Sequence, residues 1–256
     1  MDTRNIIRLE VTASTNSEAL EAGRKGAPTG TVVVAEAQTA GRGRLNRSWL
    51  SPPGMGLYFS VILRPQLAPA ELPKITLAAG LALCKILESL YSIRPKIKWP
   101  NDLLLDGRKF GGILAETGPL QNMKEGRQPL VVVGVGLNLN APEGGFPPEL
   151  QGRATAISSH ADREIPAETV METSVSAIET ELRRLEKGGF AAILQEWSQR
   201  DAVYGKVLTW VAPQGGTVTG VSLGPDKDGI LRIRDDDGAV HEVISGDLSL
   251  AGNILK

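Results

Sequence analysis

Three runs of the chain are apolar almost without interruption: Thr31–Glu36 (TVVVAE), Leu57–Arg64 (LYFSVILR) and Leu130–Asn140 (LVVVGVGLNLN). They are rich in β-branched residues and show little polar alternation, which marks strands covered on both faces. None approaches the roughly 20 residues that a membrane-spanning helix needs. With 256 residues, the chain can build one large domain with a proper core plus a small second one.

Helices stand between these strands. Leu72, Ile75, Ala79, Leu83, Ile86, Leu87 and Leu90 recur at helical spacing and predict a helix over Leu72–Leu90. A second is expected from Ala167 to about Lys187, ending at Gly188-Gly189, and a shorter one over Phe190–Arg200. Near the start, Arg4–Val11 reads as a short strand. Thr15 and Glu18 then stand at capping-box spacing and open a helix to about Arg24. Lys96–Trp99, Leu103–Leu105 and Lys109–Glu116 read as strands, with Asp106-Gly107 as a hairpin turn. From Gly205 onward only short strands and turns remain: Val207–Val211, Thr217–Ser222, Ile230–Arg234 and Val240–Ile244. That change predicts a catalytic domain over 1–203 and a small β-barrel over 204–256.

Composition narrows the function. Twenty-eight basic residues balance 29 acidic ones, which gives no support for a polyelectrolyte binder. One cysteine, Cys84, rules out an internal disulfide and suits a cytoplasmic setting. With two histidines, His160 and His241, a zinc site of the usual kind is excluded. The first residues show no signal peptide, and a cytoplasmic protein without a membrane span is expected.

Arginine and glycine cluster in Gly41-Arg42-Gly43-Arg44-Leu45-Asn46-Arg47-Ser48-Trp49. A guanidinium matches phosphate and carboxylate through a planar fork, and glycine lets backbone approach a ligand. Alone, such a cluster is equally a solvated basic loop or an RNA-binding segment. No Gly-x-x-x-x-Gly-Lys-Ser/Thr occurs, so this is not a P-loop enzyme. Gly134-Val135-Gly136 could begin a dinucleotide fingerprint, but Leu139 stands at the third glycine and Pro142 follows where a helix should grow. Plain packing against a ligand or a neighbouring strand is the better reading of both glycines.

A second segment decides the reading: Lys98-Trp99-Pro100-Asn101-Asp102, followed by Lys109-Phe110-Gly111-Gly112-Ile113-Leu114. With the arginine loop and Gly136-Leu137-Asn138, these four ordered motifs resemble the biotin–protein ligase family. The resemblance runs from about residue 4 to residue 250 and ends on Ile244-Ser245-Gly246-Asp247-Leu248. It implies an α+β fold: a mixed-sheet catalytic domain shared with lipoate ligases and class II tRNA synthetases, then a small SH3-like barrel. Some family members carry an N-terminal helix-turn-helix. Here the first strand begins by about residue 5, so a ligase without specific DNA binding is expected. Lipoate ligase is the nearest enzyme alternative, and a nucleic-acid module using Arg42–Arg47 is the alternative of another class.

The resemblance also assigns roles. The substrates are ATP and biotin, with Mg²⁺, and the partner is a biotin carboxyl carrier protein; the enzyme itself is a monomer or homodimer. Lys109, Arg42 and Arg44 are the expected catalytic cations. Biotin is expected to meet Ser14, Thr15, Asn16, Gln38, Arg42, Gly43, Arg44, Lys109 and Gly112. The adenylate is expected to meet Arg44, Arg47, Trp49, Asn101, Asp102 and Asn138. Asp102 is either a magnesium ligand or a turn-capping aspartate, and Ser14 and Thr15 would on local grounds be helix caps. Trp99 and Trp197 are left to the core. Because the empty arginine loop has little to bury and repels itself, it is expected to be mobile and to close over ligand.

Overall fold

The structure is a computed structural model describing residues 4–118, 128–211, 216–244 and 247–250. Strand β1 (Ile6–Thr12) leads through helix α1 (Thr15–Arg24) into β2 (Val32–Gln38), which lies parallel to it. A parallel pair needs such a crossover, and α1 supplies it. Strand β3 (Gly56–Leu63), helix α2 (Lys74–Tyr91), then β4 (Lys96–Lys98), β5 (Asp102–Leu105), β6 (Arg108–Thr117) and β7 (Val131–Asn138) follow. They form one seven-stranded sheet in the order β1-β2-β3-β7-β6-β5-β4, antiparallel at every pairing after the first. The turn between β5 and β6 has Asp106 and Gly107 at φ 47° and 75°, the backbone a two-residue hairpin of this type requires.

The two faces of the sheet are covered unequally. On one, Leu57, Phe59, Val61 and Leu63 of β3 and Val131, Val133, Val135 and Leu137 of β7 join the main core. Helix α2 and helix α3 (Ala167–Glu186) cover that side, and helix α4 (Phe190–Ser198) packs against both. Each buried Leu, Ile or Phe there contributes about 1.5–3 kcal/mol. On the other face α1 packs over β2, β3 and β7. Among the described residues a small cluster forms there, around Ala19, Val33, Ile62 and Val132. Helix α1 is too short to roof the rest of the sheet, and the uncovered part becomes the floor of a cavity.

Strands β8 (Val207–Val211), β9 (Thr217–Pro225), β10 (Leu231–Arg234), β11 (Val240–Val243) and β12 (Asp247–Leu250) make a separate antiparallel sheet in the order β11-β10-β9-β8-β12. Of the expected closing motif, Ser245 and Gly246 lie outside the described residues. The second sheet is tied to the first at β4. Ile97 pairs with Asp201, Lys98 Nζ donates to the Leu248 carbonyl at 2.9 Å, and Trp99 Nε1 donates to the Gly229 carbonyl at 3.0 Å. No helix among the described residues is long and apolar enough to cross a membrane.

Candidate active site

Strand register builds the floor. Tyr58 pairs with Gly136, Gly136 with Gly112, Gly112 with Asp102 and Asp102 with Lys98, so these five share one row across the sheet. Beside it, Ser60 pairs with Gly134 and Gly134 with Leu114. The glycines are required because side chains from elsewhere lie on them. A Cβ at Gly134 would stand 2.1 Å from Asn16 Oδ1, and one at Gly136 would stand 2.5 Å from Trp49 Nε1. Gly112 carries the far edge of the same Trp49 ring. The resulting cavity is walled by α1, by the segment from Gln38 to Trp49, by the 98–102 block and by Lys109, with Leu248 of the second sheet at its rim.

One end is neutral and polar. Ser14, Thr15 and Asn16 are buried, and Ser60 is fully so. The Gln38 amide oxygen accepts from Thr15 N at 2.8 Å and from the Thr15 hydroxyl at 3.2 Å, and Gln38 Nε2 donates to Ser51 Oγ at 2.9 Å. The Ser60 hydroxyl stands 2.8 Å from Thr15 Oγ1 and 2.6 Å from Asn16 Oδ1. Asn16 Nδ2 donates to the Leu114 carbonyl at 3.1 Å and to Glu116 at 2.7 Å. The capping box expected at Thr15 and Glu18 does not form. Ser14 is the N-cap, without a side-chain bond, and Glu18 accepts from the Thr12 hydroxyl at 2.9 Å. Buried tertiary partners outcompete the local cap for Thr15.

The other end is charged. Lys109 Nζ stands 2.5 Å from Asp102 Oδ1 and 5.2 Å from the centre of the Trp49 ring. Its backbone is clamped by the segment beyond β7: Lys109 N donates to the Arg153 carbonyl at 2.8 Å, and Thr155 N donates to the Lys109 carbonyl at 2.9 Å. Arg44 lies over Trp99, 5.9 Å from the ring centre. Burial lowers its guanidinium from the ordinary value, Asp102 opposes that shift and Arg47 adds to it. An arginine whose charge is only partly solvated gains by meeting an anion.

The loop between these ends is folded on itself. Gly43 N donates to the Arg47 carbonyl at 2.7 Å and Trp49 N to the Gly41 carbonyl at 2.8 Å, with Leu45 and Asn46 in the left-handed region at φ 56° and 58°. Arg42 Nη2 donates to both oxygens of Glu116, at 3.0 and 2.7 Å. Of the residues singled out from sequence, Ser14, Thr15, Asn16, Gln38, Arg42, Gly43, Arg44, Arg47, Trp49, Asn101, Asp102, Lys109 and Gly112 all line the cavity. Asn138 does not; its amide donates to the Thr155 carbonyl at 3.0 Å. Asn101 Nδ2 is likewise engaged, with the Ile113 carbonyl at 3.0 Å. Sequence reasoning missed Ser60, Ser51, Glu116 and Leu248. A serine inside an apolar strand and a glutamate at a strand end carry no local signal. Trp99, assigned to the core, is buried, but its ring also supports Arg44.

For Mg²⁺ the donor set is spare. Among the described residues no group of three metal-ligating side chains occurs. Asp102 is the carboxylate in the cavity, already paired with Lys109. That fits an ion carried chiefly by phosphate oxygens and water with one protein carboxylate in reach.

Residues 9–138 match the model of the biotin/lipoate A/B protein ligase family. The bifunctional ligase/repressor BirA of Bacillus subtilis is 35% identical over 247 residues, covering 96% of this chain and 74% of that protein. The biotin–[acetyl-CoA-carboxylase] ligase of Mycobacterium tuberculosis is 31% identical, over 93% of this chain and 85% of that one. Among solved structures, the biotin protein ligase of Aquifex aeolicus in complex with biotin and ATP superposes with a TM-score of 0.81 at 29% identity. It covers 97% of this chain and 99% of its own.

Proposed function

The chain belongs to the biotin/lipoate A/B protein ligase family as an ATP-dependent biotin–protein ligase, and on that premise we propose how its residues divide the work. The observation that carries the proposal is the polarity of one cavity, neutral amides and hydroxyls at one end and Lys109 with Arg44 at the other. Biotin has the matching asymmetry, a neutral ureido ring with two N–H donors and a carbonyl, and a carboxylate at the end of its chain. The ring belongs against Ser14, Thr15, Gln38 and the Asn16 side, where an unpaired N–H would cost about 1–3 kcal/mol. The carboxylate then points to Lys109.

Activation brings a carboxylate to the α-phosphorus of ATP. A carboxylate oxygen forms the new P–O bond, the bond to the pyrophosphate oxygen breaks, and pyrophosphate leaves with the electron pair. Charge in the transition state spreads over phosphate oxygens, and fixed cations there give the largest stabilisation a protein can supply. Lys109 and Arg44 are those cations, with Arg47 on the phosphates. Trp49, on its glycine floor, and Asn101 border the space left for adenine. Asp102 is the residue that would hold Mg²⁺ arriving with ATP, and the ion would supply further neutralisation of phosphate charge. In the second step a carrier lysine amine attacks the acyl carbon, AMP leaves, and the amine loses its proton. The nucleophile comes from the carrier, so no side chain of this chain need serve. Cys84 is buried, and burial pushes its thiol well above the ordinary range; neither histidine lines the cavity. We keep 1–203 and 204–256 as the proposed domain division.

The test is transfer. With ATP, Mg²⁺, biotin and a biotin carboxyl carrier domain, the protein should label the carrier lysine only when ATP and biotin are both present. Transfer of lipoate in preference to biotin would overturn the assignment.

A further inference from the structure

Read from sequence, Arg42 joins the cations that meet the substrate anions. In the structure it sits elsewhere. Its guanidinium holds both oxygens of Glu116, and Glu116 also accepts from Asn16 Nδ2 at 2.7 Å. Lys109 and Glu116 lie near opposite ends of β6, which separates them by roughly 20 Å of strand. Arg42 therefore stands at the neutral end of the cavity, with its charge already matched.

The same carboxylate fixes the Asn16 amide. Asn16 gives both amide protons to β6, to the Leu114 carbonyl and to Glu116, which turns Oδ1 toward the Ser60 hydroxyl. Ser60 in turn borders Thr15 Oγ1, and Thr15 leads to Gln38 and Ser51. Together with the Leu114 carbonyl, one acidic group thus sets the direction of the Asn16 amide and so of the Ser60 hydroxyl beside it, and fastens the start of the arginine loop to the sheet.

We infer that Glu116 is a positioning residue for biotin. Its carboxylate, holding Arg42 and the Asn16 amide together, orders the groups that receive the ureido ring and leaves Arg44 and Lys109 for the anions. This rests on the ligase reading above and assigns Arg42 to the loop's anchorage, not to the anions. The Arg42–Glu116 pair is partly exposed, with side chains 44% and 28% accessible, so solvent screens its contribution to folding. Its effect should appear in recognition.

The test is kinetic and calorimetric, on the full chain. E116Q keeps the shape and removes the charge; R42Q removes the other partner. Each should raise the KM for biotin about tenfold while kcat and the KM for ATP stay within about twofold, and should weaken biotin binding by titration calorimetry without ATP to the same degree. In the double variant the two losses should not multiply, because both break one linkage. If E116Q fails to fold, R42Q carries the test. An unchanged biotin KM and affinity, losses that multiply, or a rise confined to the KM for ATP would each overturn the inference. Wild-type protein runs alongside with the carrier: failure of wild-type transfer counts against the ligase reading, whereas the titration judges Glu116 on its own.

Discussion

Lys109 owes its position to three separate constraints. The backbone clamp from residues 153–155 fixes its Cα, Asp102 holds its ammonium, and Gly112 leaves room for its stem beside Trp49. A cation so fixed needs little reorganisation as charge develops. Lys109→Ala should therefore reduce adenylate formation by at least about 10²–10³-fold, with an unchanged circular dichroism spectrum. Lys109→Arg should restore only part, since a planar fork is not a point charge. Normal pyrophosphate release from Lys109→Ala would remove it from the chemistry. At this scale the sequence carried the charged residues well, because Lys, Arg and Asp in ordered motifs announce themselves. It carried the neutral end poorly. Thr15 looked like half of a capping box, and Ser60, in the apolar run YFSVIL, looked like nothing; both take their roles from partners distant in the chain. Gly134 and Gly136 were legible as sites of close approach. That Asn16 and Trp49 make the approach could not be read from local pattern.

Elements were legible where periodicity is strong. The apolar runs became β2, β3 and β7 and the leucine-rich stretch became α2, each within a few residues of expectation. Register was not legible, yet register creates the site by aligning Tyr58, Gly136, Gly112, Asp102 and Lys98. The arginine loop is intermediate. Its composition predicts a segment with little to bury, and the structure shows how its ends are held, Arg42 on Glu116 and Trp49 on the glycine floor. Its tip, residues 44–47, carries Leu45 half exposed on a left-handed backbone. Limited trypsin digestion should cut this tip early, splitting the 27.2 kDa chain into pieces of about 5 and 22 kDa. Biotin with ATP should slow that cut, because bound anions engage Arg44 and Arg47 and the closed loop shields the mixed anhydride from water. Cuts after Arg24 or Lys25 should change less. Equal rates at the tip with and without ligands would show that it does not close.

At the scale of the whole molecule the question is how the second sheet is held against the first. The change to short strands beyond residue 203 announced that sheet. The joint was hidden, because its acceptors are the backbone carbonyls of Gly229 and Leu248. Asp201 sits in this joint, paired through its backbone with Ile97. Its Oδ1 accepts from Val203 N at 2.8 Å, while its Oδ2 is buried with no hydrogen-bond partner among the described residues. Burial raises its pKa above the ordinary carboxylate value, against the pull of the Val203 and Tyr204 amides and of Lys206 and Lys96. The sign of the linkage follows. A carboxyl whose folded pKa is raised binds its proton more tightly folded than unfolded, so its stabilising contribution is complete below the ordinary pKa near 4. That contribution falls as pH rises toward the folded pKa, and above it the full cost of a buried charge is borne. Asp201→Asn keeps the acceptor for Val203 N and removes the charge. Melting followed from pH 4 to pH 8 should show variant and wild type nearly equal at the acid end, with the variant melting progressively higher as pH rises. A variant that melts lower than wild type at pH 8, or differs from it by the same amount at every pH, would mean that the Asp201 charge is compensated in the joint and that burial does not govern it.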